Sequence, residues 1–341
     1  MSDELSDRLL CVLRATTGVS NLAYRAAPRT LTGGFWAELL SFSLEDPPPG
    51  WEGQLVARVM PDPLLAAKET AIQAAVADAG VPTPRVLASG GPAHGLGRAF
   101  MVMDHADGAP LLAGLDDVRH LLGAPRRLWG MADVLASVMA ALHTVDPEPI
   151  RARLATVDGA AKTVPEMLDM MRSSSVRIAR RDLEQVSQWM LDHPCASTPD
   201  VVCHGDLHPF NVLSDDRGQV TLLDWSASLL APRAYDVAFT SFMLADAPVG
   251  VPRPLRAPVR AIGRTLASRF VRRYHHHSGT TVDPLAIEWY RAVVALRALV
   301  EVAAWEHDQL ADDRAGHPWL LLRDAFAAQL QAVSGVMVRA R

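Results

Sequence analysis

Cysteine is scarce in this chain: Cys11, Cys195 and Cys203 are the only three, widely separated in 341 residues. Three such thiols make neither a disulfide framework nor a metal-ligand pattern, and a reduced, cytoplasmic setting is expected. Long apolar runs are lacking too. The most apolar late stretch, AVVALRALVEVAAW, is interrupted by Arg297 and Glu301, so nothing reads as a membrane span. Neither sign of charge dominates: the formal net charge of −5 argues against a general nucleic-acid or anionic-membrane surface and fits small-molecule or protein partners. The start, MSDELSDRLLCVLRATTG, has no basic-then-apolar signal layout, and the chain carries no internal repeat or low-complexity tract. Apolar residues are plentiful at 49 %, enough for a sizeable core, and the length favours two lobes.

Residues 3 to 16 have helical spacing. YRAAPRTLTGGFWAELLSFSL reads as strand, glycine turn, strand, and QLVARVM as a third strand after the Pro- and Gly-rich PPPGWEG. PLLAAKETAIQAAVADAG predicts a helix stopped by Gly80. PRVLASGG and GRAFMVMDH predict a hairpin. After Gly108 the character changes: RRLWGMADVLASVMAALHTV is an amphipathic helix, with further helices predicted near 163–175, 178–192, 235–245, 255–277, 284–311 and 317–338. The boundary falls at HADG, residues 105 to 108, giving a β-rich first lobe (1–108) and a larger, mainly helical second lobe (109–341).

One segment resists a purely structural reading: VVCHGDLHPFNVLSDDRGQVTLLDW, residues 201 to 225. Taken singly, Asp206 and Asn211 suit a turn and Asp224 suits a strand end. Taken together, His204-x-Asp206-x4-Asn211 matches the catalytic loop of phosphoryl-transfer enzymes. There Asp206 accepts the proton of an attacking hydroxyl, which requires hydrogen-bond reach. Asn211 returns along the loop to a divalent ion. Asp224 ends the apolar run VTLLDW, and a carboxylate so placed is a hard oxygen ligand suited to Mg2+ between nucleotide phosphates.

HGDLHPFNVL followed by LLDW resembles the aminoglycoside phosphotransferase and choline kinase-like superfamily, down to Gly205 where protein kinases commonly have Arg. The resemblance runs over most of the chain. It implies an α+β, protein-kinase-like, two-lobed fold, ATP or GTP as phosphate donor with Mg2+, and a small-molecule hydroxyl acceptor. It also implies roles beyond the loop. Gly33 and Gly34 in LTGGFWAEL would bring backbone N–H groups to the phosphates, although Trp36 and Ala37 depart from the small polar residues of relatives. Arg58 in LVARVM takes the position where many relatives have Lys, with Glu69 behind it. In FMVMDHADG, the Asp104 carbonyl and the Ala106 amide would read the nucleobase edge and Met103 would wall the pocket. Asp236 in PRAYDVAF, like His204, is expected to support the catalytic loop.

Three further features carry weaker signals. The run His275-His276-His277 suits a cationic helix C-terminus better than a metal site, because adjacent helical residues point about 100° apart. His143 suggests a local helix cap, and His208 a residue that shapes the loop. Glu301, Trp305, Asp308 and Asp312 share one helical face if the helix continues through them; that face is either solvated or a substrate wall. Their carboxylates make an aminoglycoside-like acceptor the first choice, with a macrolide, a sugar or amino alcohol, or a hydroxyacyl thioester as alternatives. A nucleotide-binding pseudo-enzyme with a regulatory partner is the alternative from another class.

Overall fold

The computed structural model describes residues 2–31, 37–113, 125–196, 198–248, 252–310 and 314–340. The chain forms two compact units that are not contiguous in sequence. Unit 1 is Met1–Ala109 joined by Glu148–Ala160 and Leu213–Ala227; unit 2 is the remainder. The two added segments are fastened to unit 1 by particular contacts: Arg153 pairs with Asp78, and the Leu222 N–H donates to the Pro82 carbonyl.

In unit 1, the helix α1 (Ser2–Thr17) precedes six strands: β1 (Ala23–Tyr24), β2 (Arg29–Leu31), β3 (Glu38–Glu45), β4 (Gln54–Met60), β5 (Val86–Gly90) and β6 (Ala99–Asp104). They form an antiparallel sheet in the order β1-β3-β4-β6-β5, with β2 also paired to β3. Strand periodicity of two sorts the side chains. Leu55, Ala57 and Val59 of β4 and Phe100 and Val102 of β6 pack with Leu9, Val12 and Leu13 of α1. The alternate residues Met60, Ala99 and Met101 pack with Ala66 of α2 (Pro63–Asp78) on the other face. Arg58 has the parity of Met60, so the alternation that buries the apolar residues delivers this one cation to the α2 face. The start of α2 is set by Asp62, whose carboxylate accepts from the Leu64 and Leu65 N–H groups, and by Pro63 in the first turn. Its stop is Gly80 at φ +83°, as the sequence predicts.

Unit 2 opens with α3 (Pro125–Leu142). The chain then contributes α4 (Pro147–Leu154), a short helix that the sequence reading does not foresee; Pro147 and Glu148 favour its start. Next come α5 (Val164–Arg177) and α6 (Arg181–Asp192). α6 starts three residues later than the expected 178 because Ala179 takes a left-handed φ of 56° and separates the two helices. Four short strands follow: β7 (Asp200–Cys203) and β10 (Leu229–Pro232) belong to unit 2, while β9 (Val220–Leu222) and all of β8 (Val212–Ser214) but Val212 lie in the segment counted with unit 1. β7 and β10 pair antiparallel, with Leu229 opposite Cys203, and β8 pairs with β9.

The rest of unit 2 is helical: α7 (Arg233–Ala245), α8 (Arg253–Ser278), α9 (Pro284–His307) and α10 (Pro318–Ser334). α9 is the hub, buried along most of its length and packed against α5, α6, α7 and α10. α8 passes the end of α7 at Gly263, where a Cβ would lie 2.4 Å from the Leu244 carbonyl oxygen, so glycine permits the approach. Within the His run, His275 Nε2 accepts from the Val282 N–H, which fits a helix-end role. Among the described residues no single helix is long and apolar enough to cross a membrane.

Candidate active site

In unit 2 the segment after β7 is held by one carboxylate. Asp236, in the first turn of α7 and fully buried, accepts from the His204 N–H at 2.8 Å and from the Gly205 N–H at 2.7 Å. Gly205 has φ +72°, a conformation that an L side chain occupies at a cost, which explains why this position is glycine. His143 Nε2 lies 3.2 Å from Asp236 Oδ2, and His143 Nδ1 lies 2.8 Å from the Tyr274 hydroxyl. Burial alone would raise the Asp236 carboxyl, but the His143 hydrogen bond, the neighbouring His204 and the Gly205 N–H outweigh it and hold the group below the usual carboxylate range. His143 is therefore not the local cap expected from sequence. Its ring reaches across the fold and ties α3 and α8 to the loop.

Beyond that anchor the loop presents the expected pair. Asn211 Nδ2 donates to the Asp206 backbone oxygen at 2.9 Å and to Asp206 Oδ2 at 3.1 Å. This orients the Asp206 carboxylate and turns the Asn211 amide oxygen away from it. Thr240 Oγ1 donates to the Leu207 carbonyl and Ser228 Oγ to the His204 carbonyl, so the loop backbone is fixed on both sides. His208 Nδ1 accepts from the Phe210 N–H, a turn-shaping contact of the kind expected, and its Nε2 is 3.6 Å from Asp206 Oδ2.

Unit 1 carries a second cluster. Arg58 Nε lies 3.0 Å from Glu69 Oε1, as an ion contact rather than an aligned hydrogen bond, and Arg58 Nη2 is 3.3 Å from Asp224 Oδ1. Burial pushes the Glu69 carboxyl up against the pull of Arg58. Burial also disfavours the charged guanidinium, but Glu69 and Asp224 overcome this, so Arg58 stays cationic. Asp224 itself has φ +61°, rare for a non-glycine residue and characteristic of functional positions. Its conformation is locked from both sides. Ser226 Oγ donates to Asp224 Oδ1 at 2.6 Å, while the buried Trp225 donates its indole N–H to Thr83 Oγ1 at 2.9 Å.

Asp224 offers carboxylate oxygen and Asn211 an amide oxygen, both hard donors that suit Mg2+. Met103 lies at the end of β6 beside Gln73, Asp104 pairs with Arg85, and Ala106 is in the irregular segment that follows. Gly33, Gly34 and Asp312 lie outside the described residues.

The expected face of Glu301, Trp305, Asp308 and Asp312 requires a helix through residue 311, but α9 ends at His307. Asp308 caps it and Gln309 turns left-handed at φ +59°, so the four-residue spacing is lost after Asp308. Asp308 makes a bidentate ion pair with Arg177 at 2.8 and 3.2 Å. Trp305 is buried, 4.7 Å from the His317 ring and stacked on Trp319 at 6.2 Å. Burial pushes the His317 imidazole down to about 4, against the pull of Asp206. In sequence Arg297 is only a break in an apolar run, yet it is buried next to the loop, donating to the Gly205 carbonyl. A lone charge in a buried helix was the available signal.

Comparison with known proteins places the chain in a family. The sequence model of the phosphotransferase enzyme family (APH) matches residues 41–261, well over half of the chain. No curated protein sequence matches the chain. Among solved structures, a thermostable mutant of aminoglycoside phosphotransferase APH(4)-Ia aligns with TM-score 0.58 at 18 % identity, covering 93 % of this chain and 99 % of that one. Macrolide 2'-phosphotransferase MphH from Brachybacterium faecium aligns with TM-score 0.55 at 18 % identity, covering 96 % and 98 %. Aminoglycoside phosphotransferase APH(3'')-Id from Streptomyces rimosus, in complex with ADP and streptomycin, aligns with TM-score 0.53 at 19 % identity, covering 87 % and 97 %. These likenesses establish the kinase-like α+β fold. With the family match and the loop geometry, they make one conclusion: the chain belongs to the phosphotransferase enzyme family.

Proposed function

We propose that this enzyme transfers the γ-phosphate of ATP or GTP directly to a hydroxyl of a small molecule, in the cytoplasm, with Asp206 as base. The observation that carries this reading is the Asp206 carboxylate, oriented by Asn211 on a loop that Asp236 anchors. Solved relatives of the same fold are recorded with AMP-PNP and hygromycin B, which supports a nucleotide donor. Residues 1–108 carry the nucleotide functions and 109–341 the catalytic loop and acceptor functions. Gly33, Gly34 and Arg58 hold phosphate, Glu69 keeps Arg58 in place, and Met103, Asp104 and Ala106 receive the base. Asn211 and Asp224 hold Mg2+, which when bound neutralises charge on the phosphates. Asp206 takes the acceptor proton as the hydroxyl attacks, so the work of the protein is positioning and charge placement.

Asp224→Ala should abolish the Mg2+-dependent part of the thermal stabilisation by ATP, because a ligand that binds only the folded state raises its melting temperature. Asn211→Ala should weaken it less, being a neutral ligand. An unchanged Mg2+-dependent shift in the Asp224 variant would remove that residue from the metal site.

For the acceptor we infer an aminoglycoside-like compound first, with a macrolide, a sugar or amino alcohol, or a hydroxyacyl thioester as alternatives. A polycationic aminoglycoside needs several carboxylates at close range, and Glu301, Asp308 and Asp312 are the candidates. Among the described residues at the end of α9, Asp308 pairs with Arg177 and Glu306 with Arg323 as partly exposed ion pairs, contacts of a weak class that a polycation can displace. Nucleotide consumption should be measured with hygromycin B, streptomycin, a macrolide and uncharged polyols at two salt concentrations. If the carboxylates receive the acceptor, an aminoglycoside should be used, with a kcat/KM that falls as salt rises, since screening acts on ion attraction over about 8–10 Å. Phosphorylation of an uncharged polyol and of no aminoglycoside would overturn the cationic acceptor and leave the kinase reading standing.

A further inference from the structure

Gly205 leaves the catalytic loop without the arginine that protein kinases commonly place before the base. We propose that Arg297, arriving from the middle of α9, is the positioning residue of that base: its buried guanidinium grips the Gly205 carbonyl and sets the direction of the next side chain, Asp206. This rests on Asp206 being the base.

Arg297 Nη1 donates to the Gly205 oxygen at 3.1 Å and to the Tyr235 hydroxyl at 3.0 Å. The guanidinium is stacked on two aromatic rings, with its carbon 5.5 Å from the Phe239 centroid and 5.2 Å from that of Trp319. It also lies within electrostatic reach of Glu301 and Asp206. Gly205 is thus held by both of its peptide groups, its N–H by Asp236 and its carbonyl by Arg297. Gly205, at φ +72°, has no side chain of its own to fix it, so these two contacts add to those that Ser228 and Thr240 make to the flanking residues.

A stability role alone explains this arrangement poorly. Arg297 Nε is buried without a hydrogen-bond partner among the described residues, which is costly. A methionine of similar volume would fill the slot between the two rings without that cost, and replacing buried ionic groups by well-packed apolar ones is often neutral or stabilising. What methionine cannot do is hold a carbonyl or place a positive charge beside Asp206. A displacement of about 1 Å at a reacting group can cost ~10²-fold in rate.

The test is a double-mutant cycle on the full-length chain, with Mg2+ and ATP as the probe and water as the acceptor, alongside melting temperatures. Arg297→Met is expected to melt within a few degrees of wild type and to keep its KM for ATP within about threefold, while kcat falls about 10²-fold. Arg297→Lys, which keeps a donor and a charge, should restore part of kcat. Because Arg297 acts through Asp206, the D206N/R297M double variant should be no slower than D206N alone. Wild-type kcat in R297M, or losses that multiply in the double variant, would overturn the proposal. So would loss of cooperative melting in both Arg297 variants, since the residue would then hold the fold and not the loop. Near-wild-type turnover in D206N would instead refute the base assignment. An inactive D206N beside a fully active R297M would leave the base standing and remove only Arg297.

Discussion

Asp206→Asn should fold, bind nucleotide and lose about 10²-fold or more of kcat, the usual scale for a general base. The substitution is nearly isosteric. Asn211 can still donate to the side-chain oxygen at position 206, and the Asp236 anchor reaches only the backbone of 204 and 205, so the loop should keep its course. What disappears is the basic oxygen that accepts the hydroxyl proton. The loss should fall on kcat and kcat/KM alike, since the proton is transferred in the transition state and not on binding. Steady-state kinetics and the ATP-induced thermal shift read the two halves of this expectation separately. A variant with wild-type turnover would displace Asp206 from its role.

Asp236→Ala should be the most damaging single change to the fold of unit 2. It removes the acceptor for the His204 and Gly205 N–H groups and the partner of His143 Nε2, all in a fully buried place. Breaking a buried pair of this kind costs about 3–5 kcal/mol. At roughly 2–4 °C per kcal/mol for domains of 150–250 residues, the melting transition should fall by about 6–20 °C. Asp236→Asn retains one side-chain oxygen and should lose less. His143→Phe should lose less again, because it leaves both backbone contacts intact. A melting temperature within about 2 °C of wild type for Asp236→Ala would show that the loop is held by other means.

The parts of the molecule legible in sequence are those in which chemistry demands particular side chains at fixed spacing along one segment. Asp206 and Asn211 meet because five residues of one loop suffice to turn the amide back onto the carboxylate. Arg58 and Glu69 come from the family resemblance, not from periodicity, and the structure adds that strand alternation turns Arg58 toward α2, where Glu69 lies 3.0 Å away. Other features depend on tertiary packing that leaves no local trace. The end of α9 is decided by the cap at Asp308 and the left-handed turn at Gln309, which stop the helix short of the 311 that its periodicity predicts. His143 looked like a cap because its partners, Asp236 and Tyr274, are 93 and 131 residues away in sequence. Arg297 looked like an interruption because its target, the Gly205 carbonyl, is a backbone atom on a distant loop. A nucleobase read by main-chain groups near Asp104 and Ala106 likewise leaves little side-chain signature.

Direct transfer from nucleotide to a small-molecule hydroxyl is tested most directly by following the label of [γ-32P]ATP. The wild-type enzyme and Asp206→Asn would be incubated with Mg2+ and the acceptor panel, and products separated into small molecules, free phosphate and protein. Label should appear on a hydroxyl of a small molecule with the wild-type enzyme, none should remain on the protein, and the Asp206 variant should give about 10²-fold less product or lower. Label held covalently on the protein, or equal product from the Asp206 variant, would contradict direct transfer with Asp206 as the base.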